Sequence, residues 1–149
     1  MAGVRFHAPS AEVSLSAGVA KTVLQIVATA NHRSVIRSFS VHGKGIVSTD
    51  TPMRVRVLRQ TTAGTMSAGT VVKNDDSDSE TLQTSSQINA SAEPTAGDVI
   101  DVFEVHPQTG LIVMLPPGDE IQVRGGQRVG FEVLATQAQT VTIKVGGEE

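Results

Sequence analysis

Apolar residues return at every second position along most of the chain, the pattern of strands with one buried face and not of amphipathic helices. Leu24, Ile26 and Ala28 alternate with Val23, Gln25 and Val27 in a run apolar enough to be buried on both faces, which places it centrally in a sheet. Phe39 and Val41 alternate with Ser38, Ser40 and His42, and Gly43-Lys44-Gly45 then reads as a turn tolerant of positive φ. Met53, Val55 and Val57 face one way and Arg54 and Arg56 the other, behind Pro52, which cannot donate into a ladder. Val99, Phe103 and Val105 are expected on one face, and Leu111 to Leu115, apolar throughout, as a strand buried on both sides. Ile121 and Val123, Gly125-Gly126, and Val129, Phe131 and Val133 form the clearest hairpin pattern, and Val141, Ile143 and Val145 mark a last strand.

Between these runs, residues 61–70 are small and glycine-punctuated, as for a long loop or weak edge hairpin. Asn74 to Glu80 is an acidic loop, and residues 81–92 alternate weakly, as for a marginal edge strand. Glu93 to Asp98 and His106 to Gly110 are turns. About eight or nine short strands at this spacing predict an all-β protein, an antiparallel β-sandwich of jelly-roll-like Greek-key form, with a different Greek-key sandwich as the alternative. Residues 11–149 are expected to be a single β-sandwich domain. Residues 1–10 are expected to be an extended N-terminal arm.

At 149 residues the chain suits one domain, and with four Phe, no Tyr and no Trp its core must come from Val, Ile, Leu and Met. Burial between subunits would add to such a core. Without cysteine there is no disulfide framework, thiolate metal site or thiol nucleophile. The net charge of −3 argues against a nucleic-acid partner. Residues 1–60 carry eight basic groups against two acids, and the remainder four against thirteen. That split suits copies meeting through opposite patches, unless the fold mixes the two parts. No run approaches the roughly 18 apolar residues of a membrane helix, and the start lacks a secretory apolar segment, so no membrane partner is expected.

Candidate chemistry is sparse. His7, His32, His42 and His106 lack the spacing of a metal site, and the serines form no nucleophile elbow. Glu104 and His106 share a strand face, which reads as a solvated acid beside a turn residue. Asp76, Asp78 and Glu80 lack the glycine and distant acid of an EF-hand loop, so the run reads as a solvated loop. No catalytic residue, metal or cofactor is therefore expected. Two partner-binding candidates remain: the arm, through Val4, Arg5, Phe6 and His7, adding a strand to another chain where the alternative is Phe6 tucked into its own core, and a basic stripe of Arg54, Arg56 and Arg59 meeting an acidic surface where the alternative is a solvated strand face.

Four segments, Thr61-Thr62-Ala63-Gly64-Thr65, Ala92 to Asp98, Glu104-Val105-His106-Pro107-Gln108 with Gly110, and Glu120 through Gly130, resemble small β-rich virion proteins of tailed bacteriophages. The resemblance covers most of residues 30–145. Leu111 to Met114 are aliphatic where such relatives often carry an aromatic residue. The resemblance implies a non-enzymatic capsid decoration or cement protein, a homotrimer on the outer capsid surface that binds the major capsid protein. The alternative functional reading is a carbohydrate-binding or adhesion jelly-roll module, against which the lack of Tyr and Trp speaks. A third, a metal enzyme on the same fold, lacks a clustered set of ligands.

Overall fold

The computed structural model describes residues 3–44 and 51–149, so the part of the Gly43-Lys44-Gly45 turn from Gly45 onward lies outside the described residues. The described residues contain no helix and thirteen strands: β1 (Arg5–Pro9), β2 (Val13–Leu15), β3 (Ala20–Val27), β4 (Ser34–Gly43), β5 (Met53–Gln60), β6 (Thr65–Ala68), β7 (Val72–Lys73), β8 (Ser85–Ala92), β9 (Ala96–Val105), β10 (Leu111–Met114), β11 (Ile121–Val123), β12 (Arg128–Leu134) and β13 (Gln139–Glu148). They form two packed antiparallel sheets, a β-sandwich. One sheet runs β10-β4-β13-β1-β7, with β11 also on β4 and β2 also on β13; the other runs β6-β8-β3-β12-β5-β9.

The pairing is nested, as in a jelly roll. β1 and β2 pair with β13, β3 with β12, β4 with β10 and β11, β5 with β9, and β6 with β8. The chain is thus one long ribbon doubled back on itself and rolled up. Its innermost pair joins the sheet on the β3 side through β8. Nesting sets every strand of the first 60 residues beside strands from the rest, so the two oppositely charged parts interleave. Arg5 and Arg37 lie 3.9 and 2.9 Å from Glu148, and Arg56 lies 2.6 Å from Glu132. Part of the charge split is thus met by cross-strand contacts within the chain.

The core lies between the sheets. Leu24, Ile26, Val55, Val57, Val129 and Val133 face Ile36, Val41, Val141, Ile143 and Val145. Phe39 joins the layers, its ring centroid 5.3 Å from that of Phe131 and 5.7 Å from that of Phe103. β3 is central and buried on both faces, as its composition predicts, with even Gln25 inaccessible. Gln25 Nε2 donates to Gln60 Oε1 at 2.7 Å, and Gln60 Nε2 to Thr22 Oγ1 at 2.9 Å, so this second face is an amide and hydroxyl layer, in which Gln25 Oε1 finds no partner among the described residues.

Several expectations are corrected. Residues 121–133 are not a hairpin: β11 pairs with β4 and β12 with β3 and β5, in different sheets. Gly126, at φ 78°, turns the chain in the left-handed region as it crosses from one sheet to the other. β8 is no edge strand but lies between β6 and β3. Val99 does not share a face with Phe103 and Val105, because Ile100 is an extra residue against Val57 and Leu58 and flips the alternation. Leu111 to Met114 is not buried on both sides, since Ile112 and Met114 are 69% and 76% exposed.

Candidate functional site

The seven residues expected to meet a partner do not form one surface. Residues 1–10 are not a free arm over the described part, because Arg5–Pro9 is β1, hydrogen-bonded between β13 and β7 of its own sheet. Val4, Phe6 and Ala8 point inward and are at most 3% exposed, while Arg5 and His7 point outward. The alternation was too short to read as an element. Phe6 lies opposite Gly147, where a Cβ would come within 2.6 Å of its ring, so the glycine makes the seat for the phenylalanine. His7 Nε2 lies 3.0 Å from Asn74 Oδ1, and Arg5 contacts Glu148. The apolar half of the proposed arm is therefore core.

The basic stripe also divides. Arg54 and Arg56 lie on the outer face of the six-stranded sheet, where Arg56 meets Glu132 of its own chain through Nε at 2.8 Å and Nη2 at 2.6 Å. Arg54 stands in register with Glu104. Arg59 belongs to the other face: unbroken pairing along β5 and β12 sets it opposite Val129, and its Nη1 donates to the Gln122 carbonyl oxygen at 2.7 Å. Arginines two apart share a face; Arg59 is three from Arg56.

The sequence reading missed the surface that the structure leaves open. β9 is the free edge of one sheet and β10 of the other, and the His106–Gly110 turn joins them, so both edges lie on one flank of the sandwich. At the β9 edge Val99, Ile100 and Val102 are 39% to 48% exposed, Val102 on the outer face of the six-stranded sheet with Arg56, whereas Ile112 and Met114, in register with Ser40 and Ser38, are exposed on the outer face of the seven-stranded sheet. Of the strands that end the two sheets, β6 and β10 have four residues each and β7 has two, against ten in β9. Short edges resist unwanted pairing, whereas a ten-residue edge such as β9 is a template for it. The signal was present in the sequence as apolar residues at both parities of 99–102 and 111–115, which reads equally as double burial or as an apolar outer face.

At one end of the sandwich lies an open cleft of about 850 Å³, lined by Arg59, Arg124, Arg128, Asp98, Asp119 and Glu120 among others. The formal charges of these six cancel, and among the described residues no two of them form an ion pair. The Gly118 N–H, donating to Glu120 Oε2 at 2.8 Å, holds the Glu120 carboxyl below its ordinary range, which keeps it ionised and unsuited to general-acid work near neutrality. His106 Nδ1 accepts from the Gln108 N–H at 3.2 Å, a turn contact. In the acidic loop, Asp75 Oδ1 accepts from the Ser77 hydroxyl at 2.6 Å and its N–H at 2.9 Å. Among the described residues no three His, Asp or Glu side chains are placed to hold a metal ion.

No protein-family model, curated protein or solved structure matches this chain.

Proposed function

We propose that this chain is a non-enzymatic structural protein of a tailed-phage virion, a capsid decoration or cement protein. It acts as a homotrimer on the outer capsid surface and reinforces contacts between subunits of the major capsid protein. One observation carries the reading: a sandwich leaves its longest strand edge, β9, open on one flank, with exposed apolar residues on the outer face of either sheet next to that flank, Val99 and Val102 on one and Ile112 and Met114 on the other, the anatomy of a protein that is held against others. A stiff body touching several shell subunits at once gains affinity by multivalency, without a deep pocket.

The test is made in a phage that encodes the chain. The purified protein is expected to have a trimeric mass by light scattering and to co-sediment with assembled shells. Ile112→Lys with Met114→Lys, both at exposed positions, is expected to weaken co-sedimentation at least tenfold while leaving the melting temperature nearly unchanged. A monomer that stays in the supernatant would overturn the proposal.

The cleft favours a second reading, a carbohydrate-binding or adhesion module, since it offers charged donors and acceptors of both kinds. Its lining includes no aromatic ring for a sugar to stack on. A glycan array with reproducible hits lost in Arg124→Ala would put that reading first.

A further inference from the structure

We propose that the free edge of β9 between Asp101 and Val105 accepts an extended, lysine- or arginine-bearing segment of another protein as an added strand. The inference rests on the flank being the docking side, and it names how the flank binds and what chemistry it selects.

The regular part of the edge is short. Bulges interrupt β9 opposite Leu58 and between Leu58 and Gln60, but residues 101–105 pair without a break with residues 53–57. An incoming strand needs such a regular stretch to keep register. Which main-chain groups are available is fixed by one contact: the Val102 N–H donates to the Oδ1 of its own neighbour Asp101 at 2.8 Å. That amide therefore points away from β5 and toward the open side. Alternation of an antiparallel ladder then turns the N–H and C=O of both Val102 and Glu104 outward, two donors and two acceptors for a visiting backbone.

The charge on the edge selects the visitor. β9 contains Asp98, Asp101 and Glu104 and no basic residue, and none of these three acids is in an ion pair among the described residues. A like-charged strand is repelled, and an apolar one leaves the acids unmatched. Asp101 shares a face with Phe103, and Val102 shares the other with Glu104, so a segment alternating basic and apolar residues sets its basic side against Asp101 and its apolar side over Val102, which is 48% exposed, while Glu104 stands in register with Arg54 of β5. The Asp101 carboxylate acts meanwhile as a stopper on the Val102 N–H: a lysine drawing it aside frees the amide to bond with the incoming carbonyl.

The test uses the isotopically labelled full chain and two capped hexapeptides, one alternating Lys and Val, the other Glu and Val, followed by NMR. The basic peptide is expected to shift and protect the amides of residues 101–105 and to bind at least tenfold more tightly than the acidic one. Val102→Lys, at an exposed position, is expected to cut that affinity at least tenfold. Absence of binding, equal binding of both peptides, shifts centred on β6, β7 or β10, or a β9-to-β9 dimer in place of peptide binding would each overturn the inference. Because no shell is involved, its failure is separate from that of the decoration role. Shell binding that survives Val102→Lys while peptide binding is lost would keep strand addition and assign capsid attachment to another surface.

Discussion

Phe6 sits in a segment whose residues look like a tail, yet it is 1% exposed and seated over Gly147. Burial of a side chain of that size contributes about 1.5–3 kcal/mol, and truncating it leaves a cavity besides. Phe6→Ala is therefore expected to destabilise the fold by about 3–5 kcal/mol in chemical denaturation, whereas Arg5→Ala, one residue away on the outer side, should cost about 0.5 kcal/mol or less. Equal small effects would mean that the segment is loosely held. Asp75 offers a second test at this scale. Its carboxyl is held below the ordinary range first by the Ser77 hydroxyl and then by the Ser77 N–H. The ionised form is thus favoured in the folded chain. Its contribution is present above the ordinary Asp range and is lost as the pH falls through the depressed value. An NMR titration of Ser77→Ala should show Asp75 titrating at higher pH than in the parent; an unchanged titration would mean that the turn does not hold the carboxylate.

Strands differ in how plainly their surroundings write themselves into the alternation. β5, β12 and β13 were legible because each has one apolar and one polar side, and β3 because double burial made it apolar at nearly every position. β10 has the same composition as a doubly buried strand and is an edge, since Ile112 and Met114 face outward where nothing in the described chain covers them. Composition records that a side chain avoids water, not which molecule supplies the cover. β9 was misread for a local reason: Ile100 is inserted as a bulge, and one extra residue reverses every later assignment of face. Partner choice was illegible in the same way, because β11 and β12 are neighbours in sequence but belong to different sheets. These positions predict a gradient of backbone protection. Hydrogen exchange should be slowest in β3 and β12, which have strands on both sides, and fastest in the open half of β9 and in β10. Slow exchange along β9 in a purified sample would show that its edge is already paired.

The whole molecule is a ribbon folded at its middle, so nearly every ladder joins residues far apart in sequence. Such a topology must close long loops before it gains contacts. Refolding in stopped-flow fluorescence, with a Trp introduced in place of Phe131, is expected on the scale of milliseconds to seconds, as in other β-sandwiches rich in non-local pairs. A microsecond phase accounting for the full amplitude would contradict the nested pairing. The interleaving also accounts for the fate of the charge split: a basic front and an acidic remainder are brought together strand by strand, and Arg56 finds Glu132 inside its own sheet.

The outermost rung of that ribbon has a mechanical meaning. The Val4 and Glu149 main chains exchange hydrogen bonds at 3.0 Å in each direction, so the start of β1 and the finish of β13 lie side by side at one end of their ladder. Tension pulling these two ends apart loads the bonds one after another, as in opening a zip fastener, and peels the sheet at low force. A load applied across the flank, parallel to β9, strains many bonds together. The same body is therefore weak when tugged by its ends and strong when gripped by its side.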